Sequence, residues 1–218
     1  MYSVIKRFFD ICISLIALPF VALVILIFAP IIYITDKGSI FYNAPRLGKK
    51  GKVFKMYKLR SMKVNSPNIK NADGSTFNGE NDPRVTKVGR FMRKTSIDEL
   101  PQFFNVLKGD LSLIGPRAHM ASGNSEYESF DEKRKRRLDV RPGITGYSQA
   151  YFRNSITADQ KIENDVYYVN NLSFTLDVKI LIQTVISVLR RENIYVTPNV
   201  TQAKDAEVKK EPEKEEEK

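Results

Sequence analysis

Two adjacent carboxylates, Asp98 and Glu99, are the side chains in this sequence best placed to do chemistry. They sit in the run SIDELPQFFNVLKGDLSLIGPR, from Ser96 to Arg117. Downstream of them Leu100, Phe103, Phe104, Val106 and Leu107 recur at helical spacings, which predicts a helix with one buried face and the acids in its first turn. Negative charge is favoured at that end by the helix dipole. Two roles fit such a pair. Ser96 and Glu99 have the spacing of a capping box, with Pro101 tolerated near the helix start, so the acids can simply finish the helix. Alternatively, one acid is a nucleophile and the other a metal ligand, both directed at a phosphate.

Cations crowd the neighbouring segments. Val85 to Lys94 reads as a short basic helix carrying Lys87, Arg90, Arg93 and Lys94 just ahead of the acids. Arg117 closes the Gly115-Pro116 turn. Further on, Pro142, Gly143 and Gly146 force turns beside Arg141 and Arg153-Asn154, and turns of that kind can offer backbone amides to phosphate. With one histidine, His119, and one cysteine, Cys12, the chain has no zinc set of the usual composition and no internal disulfide. A metal here requires oxygen ligands, which points to magnesium or a similar hard ion.

The elements that must position these residues begin with a membrane segment. Ile11 to Ile34 is 24 residues without a formal charge, about 36 Å as a helix and enough for a hydrocarbon core of about 30 Å. Pro19 inside the run predicts a bend, and Pro30 a weaker one. Basic residues flank both ends, Lys6 and Arg7 before and Lys37, Arg46, Lys49, Lys50 and Lys52 after. Because an excess of Lys and Arg marks the cytoplasmic side, this favours a helix that enters, bends at Pro19 and returns to the same leaflet. A spanning helix with a tiny outer N-terminus is the alternative; both keep the rest of the chain in the cytoplasm.

Ser39 to Tyr42 and Lys52 to Leu59 alternate like strands about a turn at Gly48 to Gly51, predicting a hairpin that brings Lys55, Lys58 and Arg60 close together. Lys63 to Pro83 reads as a long loop. Tyr127 to Leu138, with its EKRKRR run, reads as a basic helix that suits anionic headgroups, and IENDVYYVNN as a helix bearing Asp165. Phe174 to Arg191 forms the last helix, with Leu176, Ile180, Val185 and Leu189 on or near one face. From Lys204 onward the chain is charged and low in complexity, which predicts disorder. That tail carries 5 lysines and 7 acids, net −2, so the rest of the chain holds +12 of the overall +10. Such a surface suits phosphorylated substrates or anionic lipid. It lacks any nucleic-acid-binding signature.

The motifs, taken together and in order, resemble the bacterial sugar transferase family, the polyprenyl-phosphate phosphoglycosyl transferases with a single membrane-embedded segment. KRFFD at Lys6 to Asp10, the proline-broken apolar helix, FKMYKLRSM at Phe54 to Met62, the acid-pair segment, VRPGITG at Val140 to Gly146 and DVYYVNNLSFTLD at Asp165 to Asp177 carry the likeness. It implies an α+β, mainly helical chain with a re-entrant membrane helix, a small β-hairpin and interfacial amphipathic helices. Residues 1–36 would be the anchor, 37–200 a catalytic domain on the cytoplasmic face of the cell membrane, and 201–218 a disordered tail.

The resemblance also implies the chemistry: transfer of a sugar-1-phosphate from a UDP-sugar to undecaprenyl phosphate, with release of UMP. Asp98 would be the nucleophile, and Glu99, with Asp98, would hold Mg2+. Arg60, Arg93, Arg117, Arg141, Arg153, Asn154 and Asp165 would complete the phosphate site. The chain departs from the family pattern at Leu18-Pro19 in place of Ser-Pro, at Ala118 in place of a second proline, and at Tyr147 and Tyr151-Phe152 near the glycine turns. A non-catalytic membrane-surface scaffold, with the acids only capping a helix, is the competing reading.

Overall fold

The computed structural model describes residues 2–69, 77, 79, 81–121 and 127–190. The charged tail, and residues 70–76, 78 and 80 of the loop expected between Lys63 and Pro83, lie outside the described residues. The expected mainly helical chain with small sheets is what forms.

Helix α1 (Tyr2–Asp36) is 35 residues long, about 52 Å at helical rise, and continues through both Pro19 and Pro30. The helix is therefore continuous past Pro19, the position of the expected bend. Its burial is the inverse of a soluble helix: Asp10 and Ser14 are buried, while Leu15, Ile16, Phe20, Leu23, Leu26 and Ile27 are exposed. Both halves nevertheless pack on one domain. Near the N-terminus, Lys6 pairs with Asp177 at 2.7 Å, Arg7 donates to the carbonyls of Val106 and Leu107, and Asp10 accepts from the Leu113 amide at 3.0 Å. Near the C-terminus, Val24 and Ile32 join Leu59 and Met92 in a buried cluster, and Asp36 pairs with Arg60 at 2.6 Å.

The hairpin forms, but its first strand is shifted. Strands β1 (Ala44–Leu47) and β2 (Val53–Met56) pair antiparallel across a 3-10 turn at Lys49–Gly51. The expected strand at Ser39 to Tyr42 contributes only a bridge from Phe41 to Leu59. Alternation alone could not fix the strand because register is set by what the strand packs on. Here Phe54 and Met56 pack with Val106, Leu111 and Ala118. The short strand β4 (His119–Met120) adds to the other edge of β1.

Helix α2 (Lys87–Thr95) starts on Thr86, whose side chain accepts from the Gly89 amide. It runs tightly against the chain at Ser61: a side chain at Gly89 would place a Cβ 1.9 Å from the Ser61 carbonyl oxygen. Helix α3 (Gln102–Lys108) ends at Gly109, whose φ of 88° is the left-handed conformation that glycine adopts freely.

Strand β3 (Ser112–Ile114) pairs parallel with β5 (Gly143–Thr145). The two strands approach so closely that a Cβ on Gly143 would lie 2.1 Å from the Gly115 nitrogen. In the crossover between them the basic segment is shorter than expected, helix α4 spanning only Glu132–Arg136. Helices α5 (Tyr147–Tyr151), α6 (Ala158–Asn170) and α7 (Phe174–Arg190) close the domain around Ile114, Ala150, Tyr168, Val169 and Ile180. Val185 and Leu189, expected on the packed face of the last helix, instead point outward with Phe174, Val178, Leu181 and Ile182. Helix α7 thus presents a second apolar outer face.

Candidate active site

The acids are not in the first turn of a helix. Ser96 ends α2 in a left-handed conformation, with φ 58° and no side-chain cap bond, so the expected capping box is absent. Asp98 and Glu99 instead occupy a separate 3-10 turn, Ile97–Glu99, and α3 begins only at Gln102. Pro101 is the reason for the gap: it precedes Gln102 without a side-chain cap, and its ring removes the amide that a continuous helix would use. The turn is held from below by Ile97 and Leu100, which pack on the Leu59–Met92 cluster, and from the side by the Leu59 amide, which donates to the Asp98 carbonyl at 3.0 Å.

That backbone contact brings in Lys58, which the sequence grouped with Lys55 and Arg60 but did not assign to the acids. Its Nζ lies 2.5 Å from Glu99 Oε1. Asn105 keeps the strand end in place, accepting from the Tyr57 amide at 2.8 Å and donating to the Lys55 carbonyl at 2.8 Å. Arg117 reaches Glu99 at 3.8 Å, and Arg46 from β1 lines the same recess together with Glu99, Gln102 and Arg117. Arg46 was also missed. As a lone charge beside a hydrophobic segment it reads as a flanking residue, and only the β1 register turns it inward.

The two acids have different electrostatics. Asp98 is 7% exposed, and burial raises its pKa above the usual carboxylate range; Lys58 opposes the rise, neighbouring Glu99 adds to it, and Arg93 opposes it. Burial works against ionisation of Glu99 as well, but Lys58, Arg117 and Arg46 outweigh it and hold Glu99 at about 2. Burial and the Arg117 charge bring Arg46 down to about 10. A permanently charged glutamate thus sits beside an aspartate that is harder to ionise, a split that commonly marks two carboxylates with two tasks.

The remaining expected residues divide by location. Arg93, from α2, donates from Nε to Ser61 at 2.9 Å and acts electrostatically on Asp98. Arg153 has φ 51°, donates to the Ser187 carbonyl at 3.3 Å and feels the Glu99 charge; Asn154 follows it in the same turn. Asp165 stands one layer behind. It pairs with Arg137 at 2.5 Å, and Arg137 donates to the Arg117 carbonyl at 3.0 Å, so the pair supports the Arg117 backbone.

Arg60 lies at the anchor junction. Its guanidinium bonds Asp36 and the Ser39 and Ile32 carbonyls. Arg141 faces a different pocket, with its Nε on the Gly109 carbonyl. Nor is the Gly143 amide free: it donates to the Pro116 carbonyl at 2.9 Å, because the segment forms strand β5.

Chemically, the arrangement offers a buried carboxylate on a rigid turn with at least five cations, Lys58, Arg46, Arg93, Arg117 and Arg153, on or near the two acids. Its complement is a small polyanion carrying an electrophilic centre, as a diphosphate does.

Residues 1–191 match the family model described as bacterial sugar transferase. The chain is 44% identical over 192 residues to the galactosyl transferase CpsE of Streptococcus agalactiae, an alignment covering 84% of this chain and 42% of that protein. It is 42% identical over 198 residues to the uncharacterized sugar transferase EpsL of Bacillus subtilis, covering 91% and 94%. To the UDP-glucose:undecaprenyl-phosphate glucose-1-phosphate transferase of Klebsiella pneumoniae it is 39% identical over 197 residues, covering 88% and 42%. The chain thus spans less than half the length of two of these relatives and nearly all of the other.

Proposed function

The chain belongs to the bacterial sugar transferase family, and on that premise we propose that it moves a sugar-1-phosphate from a UDP-sugar to undecaprenyl phosphate, releasing UMP at the cytoplasmic face of the cell membrane. The observation that carries this reading is the split acid pair within its set of cations. In the first half-reaction an ionised Asp98 oxygen bonds to the sugar-linked phosphorus. The bond from that phosphorus to the bridging oxygen breaks, and UMP leaves with the electron pair. In the second, a phosphate oxygen of undecaprenyl phosphate attacks the same phosphorus and Asp98 is released as carboxylate, so atoms and charge balance over the cycle. Lys58, Arg46 and Arg117 neutralise the incoming diphosphate, while Lys58 and Arg93 favour the charged form of Asp98.

The residues fit a magnesium ion: two adjacent carboxylates supply hard oxygen donors, and magnesium takes one or two carboxylates and completes its shell with water and substrate phosphate. Glu99, with Asp98, would hold it. When bound, it neutralises phosphate charge and polarises the phosphoryl oxygens. The transfer is a first membrane step in building a capsule, exopolysaccharide or other glycoconjugate.

The re-entrant reading of α1 is supported by the packing of both its ends on one domain, since a spanning helix delivers its ends to opposite faces. The outward apolar face of α7 suits an interfacial helix, lying with α1 at the bilayer surface.

The test uses the purified full chain, a panel of UDP-sugars and magnesium, without acceptor. Wild type is expected to gain the mass of one sugar-phosphate and release one equivalent of UMP. Asp98→Asn should do neither, and its turnover with undecaprenyl phosphate should fall by about 10³-fold or more. Equal UMP release by the two proteins would exclude the aspartyl mechanism, and release by neither would favour a lipid-binding scaffold.

A further inference from the structure

A second pocket shares no lining residue with the recess beside Glu99. It is formed by the first turns of α1, through Ser3, Lys6, Arg7 and Asp10, together with Lys49, Ser112 and Arg141. Four cations line it against one carboxylate, Asp10, which already accepts from the Leu113 amide. The nearby Asp177 neutralises Lys6 and accepts from Tyr2 and Tyr168. Arg7 and Arg141 line the same pocket and repel each other. Burial lowers the Arg7 pKa and the Arg141 charge lowers it further, while the Asp10 carboxylate opposes the fall. Each guanidinium spends part of its fork on backbone carbonyls, Arg7 on Val106 and Leu107 and Arg141 on Gly109. Those acceptors are neutral and Asp10 is one carboxylate among four cations, so a bound anion would offset the remaining repulsion.

A second observation points the same way. Ser112 is 2% exposed and lines this pocket, yet its hydroxyl has no hydrogen-bond partner. A buried hydroxyl without a partner is unfavourable, and a ligand oxygen would supply the partner. The pocket also adjoins apolar surface. The same turn of α1 exposes Phe8 and Phe9, and Phe9 packs on the exposed Phe174 at the start of α7, with ring centroids 6.3 Å apart. A cationic pocket beside exposed aromatic side chains suits an amphiphile with an anionic headgroup.

We propose that Lys49, Arg141, Arg7 and Ser112 form a second phosphate site that holds the headgroup of a membrane lipid at the foot of the anchor helix, apart from the transfer site at Asp98. Arg141 belongs to this site. The proposal does not depend on the transferase reaction, because its readout is lipid binding.

The test uses the full chain in neutral detergent micelles doped with phosphatidic acid, with diacylglycerol of the same acyl chains as the uncharged control and inorganic phosphate as the free-anion arm. Binding is followed by native mass spectrometry and by protection against thermal unfolding. Phosphatidic acid is expected to bind and protect where diacylglycerol does not, and Arg141→Gln should weaken it about tenfold or more. Lys49→Gln should weaken it severalfold with no folding cost, because Lys49 is exposed. Lys55→Gln removes an equal charge from the exposed side of β2, outside the pocket lining, and should leave affinity within twofold. Equal weakening by Lys55→Gln, or unchanged binding in both pocket variants, overturns the site. Equal protection by inorganic phosphate at the same concentration overturns its assignment to a lipid.

Discussion

At the scale of single residues, Lys58 decides what the acid pair can do. It stands 2.5 Å from Glu99 and is also the strongest charge acting on Asp98 in favour of ionisation. Removing it leaves two neighbouring carboxylates with less to offset burial and mutual repulsion, so both become harder to ionise. In the proposed reaction Asp98 must be charged to attack phosphorus, and activity is therefore expected to rise with pH as Asp98 ionises. In Lys58→Met the acid limb of the pH profile for kcat/KM should move to higher pH. Arg93→Gln should move it the same way by less, since Arg93 contributes less than Lys58 to keeping Asp98 charged. UMP release measured across the acidic range checks both. An acid limb unmoved in Lys58→Met would remove Lys58 from the electrostatics of the nucleophile.

At the scale of elements, the site depends on short segments held by buried polar links. The Asp98 turn is three residues long, and the backbone around Arg117 is supported by the Asp165–Arg137 pair reaching across from α6. Burial raises Asp165 to about 6, only partly countered by Arg137 and then Arg117. Since this lies above its unfolded value, the fold favours the protonated form. The contribution of Asp165 is therefore full below about pH 4 and is lost as pH rises through about 6. Relative to Asp165→Asn, wild type should lose up to about 3 kcal/mol of stability between about pH 4 and about pH 7. Denaturant unfolding of the two proteins in detergent, compared across that range, measures the difference in slope. Parallel curves would mean that Asp165 does not titrate there.

At the scale of the whole molecule, the domain and the anchor are one packed unit. Lys6, Arg7 and Asp10 fix one end of α1 to α3, β3 and α7, and Asp36 fixes the other end to Arg60. Outward apolar faces on α1 and α7 leave too much hydrophobic surface for water alone. With Cys12 replaced by serine, single cysteines at Ser3 and at Lys37 should both be labelled by an impermeant reagent in inside-out vesicles, and neither in intact cells. Labelling of the Ser3 position from outside would establish a spanning helix.

Residue types and their order carried much of this in the sequence: the long apolar helix, the basic segment before the acids, the last helix and the acid pair itself were all legible because each is a local pattern. The partnerships were not. Lys58 on Glu99, Arg46 turned inward, Arg60 taken up by Asp36 and Arg141 turned to another pocket follow from strand register and from helix ends meeting across the domain, and no sequence period encodes either. The capping box failed for the same reason. Spacing allowed it, but Pro101 and the left-handed Ser96 broke the helix into two, so the acids sit on a turn of their own. Sequence by itself determined which charges exist and near which elements they fall. Tertiary packing decided which of them face one another, because electrostatic coupling falls off with distance through the folded structure, not along the chain.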